Sequence, residues 1–446
     1  MDQSVNNQST FNYVRQTARN FLDRETTGGL LLIAATILAL ILANSQWADL
    51  YHHYLEDEFV FEFSEHFEFG LSVEEWINDG LMVIFFLVAG LELKREIMVG
   101  ELSSFRKASM PLLGAIGGMV VPALIFVSLN AGSESINGWG IPMATDIAYS
   151  LGIIGLLGKR VPLQLKIFLI ALAIADDIGA ILIIALFYSD EINWLFLGLG
   201  GGTFLLLLTL NQIGVKRLVW FVLGGLVLWF FFLDSGIHPT IAGVLFAITI
   251  PVKPKMDSKI FKEKTEENVR ALEHTGIDHF DPLEDEEQRE IFKSIRKDTK
   301  RSGPPLLRLE NALTGFNAFF IIPVFAIANA GVKLDLGLQD IVSGSLGLGI
   351  LLGLAIGKVT GISLFAYLGK KLGISELHSS LRWGHIIGMG MIAGIGFTMS
   401  LFITNLAFSD DKFIQVAKIS ILIASLIAAV AGVVILILTK PKHQSR

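Results

Sequence analysis

The stretch ALAIADDIGAILIIALFY, residues 171–188, places two adjacent carboxylates, Asp176 and Asp177, in an otherwise uncharged apolar run. An apolar run of roughly this length crosses the hydrocarbon core of a bilayer as a helix. A charge at the bilayer centre costs about 2.5–3.5 kcal/mol on insertion scales, so such acids face a wet cavity or find partners. The stretch therefore predicts a transmembrane helix that carries a functional site.

The composition extends this prediction to the whole chain. The 446 residues are 52% hydrophobic, and their mean hydropathy is +0.60. We therefore expect an all-α polytopic membrane protein with about twelve transmembrane helices. Cysteine is absent, which excludes a disulfide framework and a cysteine-ligated metal. The predicted spans lie near residues 29–45, 76–93, 109–129, 139–158, 163–188, 193–210, 217–233, 237–251, 307–332, 342–369, 383–406 and 414–438.

The basic residues of the loops predict the orientation. Lys and Arg precede span one, lie between spans two and three, and follow spans four and six, whereas the stretch 44–75 contains none. By the positive-inside rule, both termini are cytoplasmic and the number of spans is even. The basic residues that carry this prediction are Arg15, Arg19, Arg24, Lys94, Arg95, Arg106, Lys107, Lys159, Arg160, Lys166, Lys216 and Arg217.

The segments outside the spans complete the predicted organisation. Residues 10–24 place apolar and basic side chains at helical spacing, which predicts a short helix on the cytoplasmic membrane surface. Residues 252–303 are mixed in charge and poor in aromatics, which is typical of a partly helical or disordered linker. The predicted regions are an N-terminal segment (1–28), spans one to eight (29–251), the charged cytoplasmic loop (252–303), spans nine to twelve (304–440) and a cytoplasmic tail (441–446).

A short extracellular β-hairpin is predicted between spans one and two. The segment EFVFEFSEHFEF, residues 58–69, alternates polar and aromatic residues with a period of two. An exposed strand of this kind can pair with its twin in a homodimer, because its edge presents free backbone groups. A hairpin that only caps the outer surface is the alternative.

The two adjacent acids cannot be redundant copies of one group. Neighbouring residues of a helix point in different directions, so one carboxylate can face a cavity while the other faces a neighbouring helix. Two close acids titrate as a coupled unit, and protons and small cations compete for the same oxygens. Asp176 and Asp177 therefore predict a shared proton and cation site. A purely structural ion pair is less well supported, because one basic partner needs only one acid.

Spans four and eleven both contain residues that interrupt helices. Interrupted spans in the two halves of a chain indicate a transporter site near the middle of the membrane. The helix ends there leave partial charges, which Asp146 and Lys358 would balance. The alternative is that the glycines only allow helices to pack closely. The residues concerned are Pro142, Thr145, Gly152 and Gly155 in span four and Gly388, Gly390, Gly394 and Gly396, followed by Thr398, in span eleven.

Lys358 lies deep in span ten, too far from either interface for its ammonium group to reach the headgroups. A neutral amine and an ion pair with a carboxylate are both compatible with this position. So are two functional roles: a lysine that carries a transported proton, and a lysine that only stabilises Asp176.

Five stretches around these residues closely resemble the NhaA family of bacterial sodium/proton antiporters. They are WINDGLMVIFFLVAGLELKRE (76–96), PMATDIAYSLGIIGLLGKRVP (142–162), LKIFLIALAIADDIGAILIIALFY (165–188), FAIANAGV (325–332) and AGIGFTMSLFI (393–403). The resemblance implies inverted repeats in which spans four and eleven are unwound and cross. It also implies electrogenic exchange of inward protons for outward Na⁺ or Li⁺, no bound cofactor, and a place in the bacterial inner membrane.

The resemblance implies roles for individual residues. Asp177 is similar to the principal cation-binding carboxylate of the family, and Asp176 to the acid that pairs with the membrane lysine, here Lys358. Thr145 and Asp146 resemble the residues at the crossing of the unwound segments.

Further matches lie towards the ends of the spans. Asp79 and Glu92 match acids near the ion path. Glu96 matches one part of a cytoplasmic cluster that responds to pH, and Arg308 and Glu310 match another part. The hairpin at 58–69 resembles the dimer contact of the family in position.

The chain departs from the family pattern near that cluster. Asn311 and Leu307 stand where relatives carry a histidine and a basic residue, and Val359 replaces a proline. The loop 252–303 is also longer than expected. These departures concern the pH at which transport begins rather than the transport chemistry.

Other functional classes fit the sequence less well. An intramembrane aspartyl protease needs a Gly-x-Gly-Asp context that AIADDIG lacks. A deep lysine near the acids disfavours free cation flow through a channel. A sodium-coupled carrier of an organic anion remains the alternative, although the spans offer few hydroxyls or arginines for a larger polar pocket. We therefore predict a transporter rather than an enzyme, with no nucleic-acid partner.

Overall fold

The computed structural model describes residues 26–64, 67–189, 191–274, 285–335, 341 and 343–439. The predicted surface helix at 10–24 and the tail at 441–446 lie outside the described residues. Within them the chain is almost wholly helical, with one two-stranded sheet.

The helices and strands are numbered along the chain. The helices are α1 (Thr26–Ala43), α2 (Ala48–Glu56), α3 (Val73–Val99), α4 (Phe105–Asn130), α5 (Ile147–Leu156), α6 (Leu163–Phe187), α7 (Trp194–Gln212), α8 (Leu218–Leu233), α9 (Thr240–Thr249), α10 (Ser258–His274), α11 (Glu286–Ser302), α12 (Pro305–Asn329), α13 (Ser345–Lys371), α14 (Trp383–Ala393), α15 (Phe397–Ala407) and α16 (Asp411–Leu438). The strands are β1 (Glu58–Ser64) and β2 (Phe67–Ser72). Wider π-helical turns lie in three helices, at Trp76–Leu81, Asn317–Ile321 and Gly353–Gly357.

The apolar helices follow the predicted spans. Among the described residues, eight helices are long and apolar enough to cross a membrane, and α14 with α15 forms a further span that bends by 44°. The shorter apolar helices α5, α8 and α9 occupy the three remaining predicted positions. The prediction of a polytopic helical membrane protein is confirmed. Span four differs from the others, because only its C-terminal part, α5, is α-helical, whereas Glu134–Met143 is a 3₁₀ helix.

The predicted hairpin is present and extends a little further than its sequence pattern. β1 and β2 pair antiparallel, with Phe59 opposite Leu71 and an irregular register between Glu62 and Ser64. The second strand runs to Ser72, three residues beyond the predicted end. There the Ser72 hydroxyl accepts the backbone N–H of Glu75 in a capping box, which ends the strand and begins α3.

Glycine contacts explain why several helices lie so close together. A Cβ atom on Gly29 of α1 would lie 2.7 Å from the Cα atom of Gly152 in α5. Gly117 of α4 and Gly361 of α13 face each other in the same way. Small residues allow such close backbone approach in membranes. Gly152 therefore serves helix packing and does not lie at the interruption of span four.

The charged loop 252–303 contains two helices, α10 and α11, on either side of residues outside the described part. They pack against each other. The Asp285 carboxylate accepts the N–H groups of Glu287 and Gln288 and caps α11. At the other end, the N–H groups of Lys255 and Met256 both donate to the Arg301 carbonyl. These bonds tie the end of α11 back to the start of the loop.

Candidate functional site

The interruptions of spans four and eleven meet. Residues 144–146 separate the 3₁₀ helix from α5, and residues 394–396 separate α14 from α15. The Asp146 N–H donates to the Ile395 carbonyl at 2.7 Å, and the Thr145 hydroxyl donates to the Ala393 carbonyl at 2.9 Å. The two interrupted segments thus satisfy backbone groups that their helices leave free, which lets irregular backbone persist inside the protein.

The Asp146 carboxylate lies at the N-termini of two helices. One oxygen accepts the Tyr149 N–H at 2.8 Å, in the first turn of α5. The other accepts the Thr398 N–H at 3.0 Å and the Thr398 hydroxyl at 2.6 Å, in the first turn of α15. A carboxylate at a helix N-terminus is stabilised by the free N–H groups and by the helix dipole. Asp146 therefore offsets the positive ends of both half-helices.

Lys358 performs the complementary role at a helix C-terminus. Its side chain is fully buried, and its ammonium group donates to the carbonyl of Met143, the last residue of the 3₁₀ helix. The same group donates to the Asp176 carboxylate at 2.6 Å. Lys358 directly follows the π-helical turn of α13. The buried lysine thus pairs with Asp176, as the resemblance implies.

Asp176 and Asp177 each retain an oxygen with no hydrogen-bond partner among the described residues. Their exposed fractions are only 1% and 3%. Buried carboxylate oxygens are normally paired, so an unpaired one calls for a proton or a cation. The two acids lie in the middle of α6, with Lys358 of α13 beside Asp176.

The charges around Asp177 are mostly negative. Asp176, Asp146 and Glu92 act on it, against the single positive charge of Lys358. These negative charges attract a cation and favour its binding between the carboxylate oxygens. The described residues hold no group of three or more His, Cys, Asp or Glu side chains placed for a metal. An ion held by Asp176 and Asp177 would therefore take its other oxygens from hydroxyls, carbonyls or water.

An aromatic layer packs against α15 next to the crossing. Phe402 of α15 packs against Phe86 of α3 at 5.7 Å between ring centroids and against Phe325 of α12 at 6.2 Å. All three side chains are buried. Phe402 lies one turn beyond Thr398, so this layer packs directly beside the crossing.

Asp79 does not join the central acids. It lies in the π-helical turn near the N-terminal end of α3, and its carboxylate is 3.2 Å from the His238 Nε2 atom. Its backbone carbonyl accepts the indole N–H of Trp229 at 2.7 Å. His238 is not among the site residues predicted from the sequence, and it lies between α8 and α9 at the start of predicted span eight (237–251).

A second cluster joins the C-terminal end of α3 to the N-terminal half of α12. The Arg95 guanidinium is 2.8 Å from the Glu96 carboxylate and 2.9 Å from that of Glu310. Arg95 entered the sequence analysis only as a loop charge, although the run ELKRE places it beside Glu96. Glu92 also interacts with the charge of Arg95. Arg308 lies apart from this cluster and donates to a backbone carbonyl at the end of α11.

Comparison with known proteins identifies the family. A family model described as "Na+/H+ antiporter 1" matches residues 19–436. This chain belongs to that family. The family's "Na(+)/H(+) antiporter NhaA" from Christiangramia forsetii is 71% identical over 442 residues, 99% of this chain and 98% of that protein. "Na(+)/H(+) antiporter NhaA 2" from Helicobacter hepaticus is 44% identical over 96% of both chains.

The resemblance to the NhaA family is therefore confirmed. The solved structure of the sodium proton antiporter MjNhaP1 from Methanocaldococcus jannaschii is 13% identical and covers 94% of this chain and 95% of its own, with a TM-score of 0.44. The assignment to the family rests on the sequence matches.

Proposed function

We propose that this protein is an electrogenic sodium/proton antiporter, which exports Na⁺ or Li⁺ in exchange for protons by competition at Asp176 and Asp177. The observation that carries the proposal is the pair of buried, unpaired oxygens on these two acids beside a single lysine. The names of relatives that are up to 71% identical support the same reaction.

The arrangement suggests how one site serves both ions. With the acids deprotonated, the free oxygens of Asp176 and Asp177 bind a small cation, and Asp146 and Glu92 add negative charge nearby. When protons take the same oxygens, the site loses its charge and releases the cation. Lys358 holds Asp176 through this cycle, either as a fixed charge or as a group that gives up its proton. Movement of the two interrupted spans relative to α3 and α12 would expose the site to each side in turn.

We also propose the cellular setting and assembly. The protein would lie in the bacterial inner membrane with both termini in the cytoplasm, need no cofactor, and contribute to sodium and pH homeostasis. A homodimer would form through the 58–69 hairpin. In support, Phe59 and Val60 of β1 are 58% and 48% exposed, as expected of strand residues that a partner covers. Glu96, Arg95 and Glu310 would adjust activity to cytoplasmic pH.

Proton movement in inside-out membrane vesicles tests the reaction. A proton gradient is established, and its collapse on addition of Na⁺, Li⁺ or K⁺ is followed between pH 6 and 9. We expect Na⁺ and Li⁺ to collapse the gradient in the wild type and to have no effect in Asp177→Asn, because that substitution removes a charged ligand of the cation. The matched control is Asp49→Asn, an exposed acid of α2 that should leave transport unchanged.

The result also decides between the remaining functional classes. Collapse by Na⁺ that survives in Asp177→Asn would contradict the assignment of the site. Absence of collapse with every cation at every pH would overturn the antiporter proposal and direct the search to organic anions coupled to sodium.

A further inference from the structure

Three amides and a carboxylate form a hydrogen-bonded network at the outer side of the protein. The Asn405 amide of α15 donates to the Asn329 oxygen of α12 at 2.6 Å and to the Glu74 carboxylate of α3 at 3.4 Å. The Asn329 amide in turn donates to the Asn78 oxygen of α3 at 3.0 Å. Asn329 is fully buried, and the other three side chains are half-buried. Buried amides are costly unless they are paired, so this network has a structural or functional reason.

Asn405 lies on the same face of α15 as the residues that reach the site. Thr398, Phe402 and Asn405 are spaced i, i+4 and i+7, which places them on one side of a helix. Seven residues correspond to about 10 Å along the helix axis. From the crossing outward, this face presents the bond to Asp146, then the aromatic layer, then the amide network.

The bonds of Asn405 cross a boundary between two groups of helices. α3 and α12 are joined to each other at both ends, by Arg95 and Glu310 inside and by Asn78 and Asn329 outside. α15 is joined to α5 through Asp146 and packs on α16. A relative movement of these two groups keeps the bonds within each group and must break those that Asn405 makes.

A charge pair acts across the same boundary. Lys418 of α16 is only 9% exposed, and its positive charge acts on the carboxylate of Glu74 in α3. Attraction between a basic residue of one helix group and an acidic residue of the other favours the closed arrangement. Glu74 is thus held from two helices, by the Asn405 amide and by the charge of Lys418.

We propose that Asn405, Asn329 and Glu74 form an outer latch, a set of polar contacts that closes the external side of the carboxylate site and opens when the site faces outward. This inference rests on the proposed antiport function and assigns to Asn405 the control of which side of the membrane the site reaches. The latch closes the site more specifically than the aromatic layer does. Hydrogen bonds between side-chain amides hold one defined arrangement of the helices, whereas apolar contacts allow the helices to slide.

The latch is tested by measuring the apparent sodium affinity separately from the external and from the cytoplasmic side of the membrane. In Asn405→Leu two hydrogen bonds across the boundary are lost, each worth a factor of about 2 to 10 in an equilibrium. The outward-facing population should rise, so the half-saturating external Na⁺ concentration, measured in right-side-out vesicles, should fall about five-fold or more. The half-saturating cytoplasmic concentration, measured in inside-out vesicles, should stay constant or rise. The control Thr404→Val removes only a bond within α15 and should change neither value.

Cross-linking provides a second, independent test. The chain contains no cysteine, so introduced thiols are the only ones that react. In Glu74→Cys/Asn405→Cys, a short bifunctional thiol reagent joins the two helix groups and should abolish antiport. The same double variant without the reagent controls for the two substitutions. The wild type, which contains no cysteine, controls for damage caused by the reagent.

Failure of the latch is distinguishable from failure of the antiport proposal. Absence of sodium/proton exchange in the wild type would remove the proposed function itself. If exchange is present, the latch proposal is overturned when Asn405→Leu leaves the half-saturating external and cytoplasmic Na⁺ concentrations unchanged. It is also overturned when the substitution moves both concentrations in the same direction. It is also overturned if the cross-linked Glu74→Cys/Asn405→Cys protein transports at the rate of the uncross-linked one.

Discussion

Replacing Lys358 by Met should expose how much of the stability of the protein depends on one buried ion pair. The ammonium group lies 2.6 Å from the Asp176 carboxylate, and both side chains are excluded from solvent. Removing one partner of a buried pair costs about 3–5 kcal/mol, because the remaining charge keeps its desolvation cost without compensation. The Met143 carbonyl at the end of the 3₁₀ helix loses its donor as well. We expect this variant to be among the least stable single substitutions of the chain.

The loss of stability in Lys358→Met should depend on pH and on the presence of the Asp176 carboxylate. At acidic pH Asp176 takes up a proton, the buried charge disappears, and only the hydrogen bonds are missing. The native state of the variant therefore binds a proton that the unfolded chain releases, so its stability falls as the pH rises. The double variant Lys358→Met/Asp176→Asn removes both charges, and its stability should return close to that of the wild type at alkaline pH.

Thermal unfolding of the purified protein in detergent, followed by tryptophan fluorescence at pH 6 and pH 9, measures these effects. The control is Lys371→Met, which removes an exposed lysine at the end of the same helix and should leave the midpoint unchanged. The reasoning is refuted if Lys358→Met unfolds at the wild-type temperature at pH 9, or if the double variant is no more stable than the single one.

Two further substitutions test the crossing and the helix packing. Thr398→Val keeps the shape of the side chain but removes the hydroxyl that donates to Asp146 at 2.6 Å, and we expect it to lower the free energy of unfolding by about 1.5–3 kcal/mol and to slow antiport in vesicles. An unchanged melting curve would show that the hydroxyl is dispensable. Gly29→Ala places a Cβ 2.7 Å from the Cα of Gly152 and should cost about 1–3 kcal/mol in the same melting experiment. Gly198→Ala, at an open position in α7, should be neutral or slightly stabilising, and equal effects of the two alanines would contradict the close contact.

The sequence by itself determines the apolar spans, and it predicts an orientation and a set of candidate acids. Each of these features depends on a local quantity, namely the length of an apolar run, the charge of a loop or the cost of one ionised group in hydrocarbon. For this reason the predicted span at 163–188 agrees with α6 to within one residue, and the hairpin at 58–69 is found at its predicted position.

The identity of the partners is decided only by the tertiary structure. Lys358 and Asp176 are 182 residues apart in sequence, and Arg95 and Glu310 are 215 apart. Nothing in the sequence near Asp79 points to the histidine that contacts it. The pairing of such groups depends on which faces of distant helices meet, and a periodic pattern within one helix carries no information on that.

The positions of the two helix breaks illustrate the difference. Proline and glycine predict that spans four and eleven are interrupted, but several of these glycines, such as Gly152, lie inside regular helix. The breaks fall at residues 144–146 and 394–396, where the two segments satisfy each other's backbone groups. A backbone that leaves its helix inside a membrane must find hydrogen bonds elsewhere in the protein. The sequence thus determines that each span contains a helix interruption, whereas the contact between the two spans decides at which residues each helix is interrupted.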